Sequence, residues 1–176
     1  MMNTNVVNLI GGPGSGKSTI ASGLFFELKK MGINAELALE FAKDKVWEES
    51  FRTLDDQIYI FAKQYHKLWR LNGKVNVIIT DSPLPISLYY MKEKSEYFNK
   101  FVIEQYNKFN NLMFFIERGE SYQQEGRIQT LEESIEIDNE LLRLMIDNNI
   151  KFDSIPQNNA ITQILKFINE TIRGRK

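Results

Sequence analysis

The chain has 176 residues with 22 basic against 23 acidic side chains, a balance of −1 that disfavours a broad nucleic-acid-binding surface. It has no cysteine and one histidine, His66, which excludes disulfide frameworks, thiolate metal sites and histidine clusters. With no basic-then-apolar leader and no apolar run of membrane-spanning length, the expectation is a cytoplasmic protein folded as a single domain over residues 1–176.

Residues 6–10 (Val-Val-Asn-Leu-Ile) form a short β-branched run that predicts a buried strand. Gly11-Gly12-Pro13-Gly14-Ser15-Gly16-Lys17-Ser18 follows at once, and residues 19–30 then place Ile20, Leu24, Phe25 and Leu28 on one helical face. A strand, then G-x-x-x-x-G-K-[ST], then a helix is the context that defines a P-loop, or Walker A motif. At a glycine frequency of about 7%, fewer than roughly one chain in a hundred of this length carries the motif by accident. Gly11, Gly14 and Gly16 open backbone angles that let successive N–H groups turn inward on a phosphate, and the helix N-terminus from Lys17 to Thr19 adds its positive end. Lys17 is placed for the β- and γ-phosphates, and the Ser18 hydroxyl for Mg²⁺. The implied chemistry is binding of a nucleoside triphosphate.

Gly32 ends this helix, residues 35–39 predict a second strand running into Glu40, and residues 45–51 a short helical piece. A longer helix is predicted over 54–71, with Ile58, Phe61, Ala62, Tyr65 and Leu68 as its apolar stripe; Gln57 and Gln64 share another face, two turns apart. Residues 75–80 read as a buried strand followed directly by Asp81-Ser82-Pro83, and Pro83 and Pro85 turn the chain into a short helix ending near Met91. A helix over 97–109 and a strand over 112–116 lead into a polar, glycine-bearing segment, 117–129, that carries Arg118 and Arg127. Thr130 and Glu133 form a capping-box signature for a helix over 131–146, and a strand over 151–155, a turn at Pro156 and a helix over 160–172 close the chain. Alternating strands and helices predict an α/β, three-layer architecture whose five-stranded parallel sheet is covered on both faces. Ligands of such sheets bind beyond the carboxyl ends of the strands. Those ends here carry the glycine-rich loop, Glu40, Asp81, Arg118 and the Pro156 turn.

The Walker A loop, Asp81 after the third strand and the arginine-bearing segment after the fourth resemble the small P-loop kinases of the nucleoside and nucleotide kinase group. Leu39-Glu40-Phe41-Ala42, Asp56-Gln57-Ile58-Tyr59, Thr80-Asp81-Ser82-Pro83 and residues 122–130 are similar to the ribosylnicotinamide-kinase-like and phage-type nucleotide kinases. That resemblance implies the P-loop NTPase fold with a short lid over about 117–129, and Mg²⁺-assisted transfer of the γ-phosphoryl group of ATP to a nucleoside or nucleotide. It implies roles as well. Lys17, Asp81, Glu40, Arg127 and Arg118 would carry catalysis, Asp81 joining Ser18 at the metal or orienting the acceptor hydroxyl and Glu40 taking the proton of the attacking hydroxyl, a role that either carboxylate could share. Glu40, Gln64 and Asp81 would contact the acceptor, and the turn at Pro156 would lie beside the donor adenine. The P-loop residues Gly11 to Thr19 would hold the phosphates. Asp81-Ser82 stands where AAA-type motors carry Asp-Glu, and no Asn-Lys-x-Asp motif marks a GTPase. A kinase acting on a modified base in DNA, a P-loop ATPase or switch with no small acceptor, and a homo-oligomer stay open.

Overall fold

The computed structural model describes residues 3–119 and 130–173. The elements run β1 (Asn5–Ile10), α1 (Lys17–Lys30), β2 (Ala35–Leu37), α2 (Phe41–Trp47), α3 (Phe51–Asp55), α4 (Gln57–Trp69), β3 (Val77–Thr80), α5 (Ile86–Tyr90), α6 (Glu96–Tyr106), β4 (Asn110–Glu117), α7 (Leu131–Asp147), β5 (Asp153–Pro156), a single 3₁₀ turn (Gln157–Asn159) and α8 (Ala160–Arg173). The five strands pair in the order β2-β3-β1-β4-β5, every pairing parallel, as the alternation of strand and helix predicts.

Strand periodicity divides the core. Val6, Ile10, Ile78 and Phe115 face a layer made by Phe61 of α4, Val102 of α6 and Leu141 and Met145 of α7. Their neighbours Val7, Leu9, Ile79 and Phe114 face Leu24 and Leu28 of α1 and Ile164 and Ile168 of α8. Burying both faces explains why the strands read as continuous apolar runs rather than alternating ones. With β1 at the centre, its neighbours end within two residues of it, Thr80 beside Asn8 closing β3 and Phe115 beside Ile10 lying two residues before the end of β4. The strand order therefore delivers the P-loop, Asp81 and Arg118 to one edge of the sheet. Among the described residues, no helix is long and apolar enough to cross a membrane.

Two expectations are corrected. The helical piece over 45–51 is instead two helices: α2 ends at Trp47, Glu49 adopts φ 53° and Ser50 N–H closes the turn on Lys45 O at 2.9 Å, before α3 begins at Phe51. The chain breaks there on a glutamate in the left-handed region, where glycine or asparagine is the usual marker, so composition carried no sign of it. The second correction concerns α4. Asp56 caps it by accepting from Tyr59 N–H at 3.0 Å, and its buried face carries Gln57, Ile60, Phe61, Gln64 and Leu68. Ile58, expected in the stripe, is 63% exposed, and Ala62 is exposed too. The capping box is present in full at the start of α7: Thr130 N–H donates to Glu133 Oε2 at 2.7 Å and Glu133 N–H to Thr130 Oγ1 at 3.2 Å.

Candidate active site

A cleft of about 490 Å³ opens along the carboxyl edge of the sheet, with the P-loop as one wall and α2, α4 and α5 as the others. The loop follows from its glycines. Gly16 has φ 88° and stands where a Cβ would run into the Gln157 side chain, so only glycine allows the chain to turn there into α1. The first N–H groups of α1 are left at the cleft, as helix N-termini that bind phosphate require. Lys17 arches back over the loop, its Nζ donating to Gly11 O at 2.7 Å and Gly12 O at 2.8 Å. Burial lowers its pKa below the usual lysine range, against the opposing pull of Glu40, Asp81 and Asp138.

Ser18 and Asp81 meet as the sequence pattern requires: Ser18 Oγ donates to Asp81 Oδ2 at 2.6 Å, and Asp81 is 97% buried at the end of β3 (3% exposed). The second oxygen of Asp81 accepts the Glu40 N–H at 2.8 Å. Asp81 thus fastens Ser18, at the start of α1, to the segment that carries Glu40. Glu40, partly covered in area, sits on the cleft floor. Desolvation raises its pKa above the usual carboxylate range, Lys17 opposing and Asp81 adding to the effect. Tyr90 of α5, also on the cleft wall, has its hydroxyl pKa raised, by burial first and then by the Glu40 charge. A hydroxyl and a carboxylate in contact make a hard, oxygen-only donor set that suits Mg²⁺, which keeps waters and takes its other ligands from phosphate oxygens.

Arg118 comes to the back of the loop. Its Nη1 donates to Pro13 O at 2.7 Å, while Nε and Nη2 grip Asp138 Oδ2 at 3.1 and 2.8 Å. Asp138 lies on α7, and its other oxygen accepts the Gly12 N–H at 2.5 Å. The ion pair is nearly covered, with side chains 10% and 13% exposed. Sequence reasoning missed Asp138: it is one acidic residue in a helix rich in them, and it reaches the loop across 126 positions of chain. Gln157 belongs to the turn expected at the end of the last strand, and what the sequence did not mark is its contact with the loop. Directly after Pro156, its side chain lies against both Gly16 and Gly119, which brings the β5 turn to the loop.

Gln64 departs from expectation. Its amide is committed within the protein: Nε2 donates to Ala38 O at 3.0 Å and to the Thr80 hydroxyl at 3.1 Å, and Oε1 accepts from Phe41 N–H at 3.2 Å. It therefore ties β2 to β3 and sets the start of α2, rather than holding its amide ready for an acceptor base. Among the aromatic side chains near the site, Phe41 is held between Lys45 and Lys67 and edge-on to Tyr59, whereas Trp47 lines the cleft. His66 stacks on Trp69. Arg127, with most of the expected lid, falls outside the described residues.

A family model described as AAA domain matches residues 6–161. No curated protein matches the sequence. Among solved structures, the thymidylate kinase from Ehrlichia chaffeensis is similar, with a TM-score of 0.64 over 95% of this chain and 99% of that one. Sequence identity is 13%, so this likeness shows a P-loop kinase fold and leaves the substrate open.

Proposed function

The chain belongs to the AAA domain family, and on that premise we propose that it is a kinase, using Mg²⁺ and ATP to phosphorylate a small nucleoside or nucleotide acceptor. The observation that carries the reading is the contact of Ser18 Oγ with Asp81 Oδ2 on the wall of a cleft that continues past the P-loop to Glu40 and α5. A motor or switch has no need of a second compartment beside its nucleotide; a kinase does, because the acceptor must lie in line with the phosphoryl group.

Each group has a task. The P-loop N–H groups and Lys17 would hold the β- and γ-phosphates. Ser18 and Asp81 would hold Mg²⁺, which when bound neutralises charge on the phosphates. Glu40 would accept the acceptor's proton; its raised proton affinity makes it a stronger base than an ordinary carboxylate. Arg118, fixed by Asp138, would keep the loop in shape from behind, and the Pro156 turn would flank the donor base.

The test is ADP release from Mg·ATP, with and without nucleosides, nucleoside monophosphates and ribosylnicotinamide. Acceptor-dependent release that Lys17→Ala abolishes supports the reading; release indifferent to every acceptor refutes it.

A further inference from the structure

We propose that the acceptor attacks through an uncharged hydroxyl group and not through a phosphate, an inference that rests on the phosphoryl-transfer reading above. A phosphate acceptor would bring a second anion to within bonding distance of the γ-phosphate. Such a reaction needs cations on both sides of the forming bond, and arginine, with its planar fork, suits phosphate best. The acceptor side of this cleft offers the reverse. The carboxylates Glu40 and Asp81 line it, along with Asp55, which is paired with Lys92.

The cations lining the cleft are already engaged or few. Lys17 belongs to the P-loop and binds the Gly11 and Gly12 carbonyls. Lys92 is paired with Asp55 at 2.5 Å. Among the described residues that leaves Lys43, whose charge already acts on Glu40. Among the described residues no arginine lines the cleft, and Arg118 lies on Pro13 O and Asp138 behind the loop. The remaining wall is neutral, with Trp47, Ile60, Phe61, Ser87 and Tyr90 able to enclose a ring without charging it. Glu40 then discriminates twice. It would receive the proton of a hydroxyl, and it would repel a dianion placed in the same position. In the step itself, the acceptor O–H proton passes to the Glu40 carboxylate and its oxygen forms the new bond to the γ-phosphorus. The bond from that phosphorus to the β–γ bridging oxygen breaks, its electron pair leaving on ADP.

Two sources share this chemistry, a free nucleoside and a hydroxymethyl group on a base in DNA. The full chain with Mg·ATP is therefore assayed on nucleosides, on the same nucleosides as 5′-monophosphates, and on an oligonucleotide with or without a hydroxymethylated pyrimidine. The expected result is a kcat/KM at least tenfold higher for a hydroxyl acceptor than for any monophosphate, the responding arm naming the source. Preference for a monophosphate overturns this inference and leaves the kinase reading standing. ATP turnover indifferent to every acceptor overturns both. Glu40→Gln, its fold checked by thermal melting, sharpens the result: turnover of the hydroxyl acceptor should fall more than tenfold and the discrimination against the monophosphate should narrow. A discrimination ratio unchanged by Glu40→Gln takes the acidic floor out of acceptor selection and overturns the inference.

Discussion

The two halves of the cleft are built differently. The donor half is mostly backbone: a loop of eight residues and the first turn of α1, contiguous in sequence and placed by one strand. The acceptor half is side chains drawn from α2, α4, α5 and the end of β3, oriented by hydrogen bonds that span tens of residues. A site made of local backbone tolerates little variation and can serve any acceptor. A site made of distant side chains can be altered one residue at a time, and that is where specificity is free to change. Asp81 joins the two, with one oxygen on Ser18 and the other on the Glu40 N–H.

The sharpest way to separate the halves is to disable one. Lys17→Ala should lower turnover at least about a hundredfold, since it removes a preorganised cation from developing charge. Acceptor binding, followed by Trp47 fluorescence in a Trp69→Phe background, should persist, and the melting temperature should hold because the lost ammonium was poorly solvated. Loss of acceptor binding in this variant would show that the halves are one site. Asp81→Asn strikes the junction. Kcat should drop roughly a hundredfold with little change in the KM for ATP, the pattern of an interaction made in the transition state. A matching rise in both Michaelis constants with kcat intact would make Asp81 a structural tie only.

The pH dependence divides along the same line. Glu40 must be ionised to act as base and Lys17 protonated to act as cation. kcat/KM should fall on the acid side through a pKa above the ordinary carboxylate value, and on the alkaline side through one below the ordinary lysine value. Stability moves the other way at Glu40. Its raised pKa means that the folded state binds the proton more firmly, so the contribution is full below the ordinary value of 4.5 and is lost as pH rises through the folded pKa. Glu40→Gln should erase the acid limb of activity and raise stability at neutral pH, with no difference from the parent at pH 4. An acid limb surviving in that variant would assign the base elsewhere.

The same contrast governs what the sequence made legible. The P-loop, β1, the Asp81 turn and the capping box at Thr130 depend on neighbours within a few residues, and the pattern named each of them. The parallel sheet followed from alternation of elements. Asp138, Gln157 and the true work of Gln64 depend on which helix lands beside which loop, and no local pattern records that. The face of α4 was misjudged for a related reason. Periodicity counts Gln as polar and outward, yet Gln57 and Gln64 are buried, at 8% and 5% exposure, Gln57 against Leu54 O and Gln64 against partners on β2 and β3. The break at Glu49 likewise came without glycine or proline.

Asp138→Ala tests the one long-range part of the donor half. Removing this nearly covered carboxylate takes one ion-pair partner from Arg118 and the acceptor from Gly12 N–H, at a cost of about 1–3 kcal/mol read from chemical denaturation. Turnover should fall about tenfold as the loop loosens, with Asp138→Asn recovering part of it, since the amide oxygen can still accept from Gly12. Parent-like turnover in the alanine variant would confine Asp138 to folding.

The smallest effect belongs to Gln64, and it bears most directly on whether the halves are independent. Gln64→Leu preserves volume and takes the Gln64 amide from the Ala38 carbonyl and the Phe41 N–H, while the Thr80 hydroxyl keeps its bonds to Ser82; the loss should cost about 1–3 kcal/mol. These groups set the end of β2 and the first turn of α2, so Glu40, the residue between them, should lose its fixed position while the P-loop keeps its own. The expected signature is a few-fold rise in acceptor KM with the KM for ATP unchanged. Should both constants rise together, the tie through Asp81 to Ser18 transmits the disturbance, and the donor half is not the self-contained unit that its backbone construction implies.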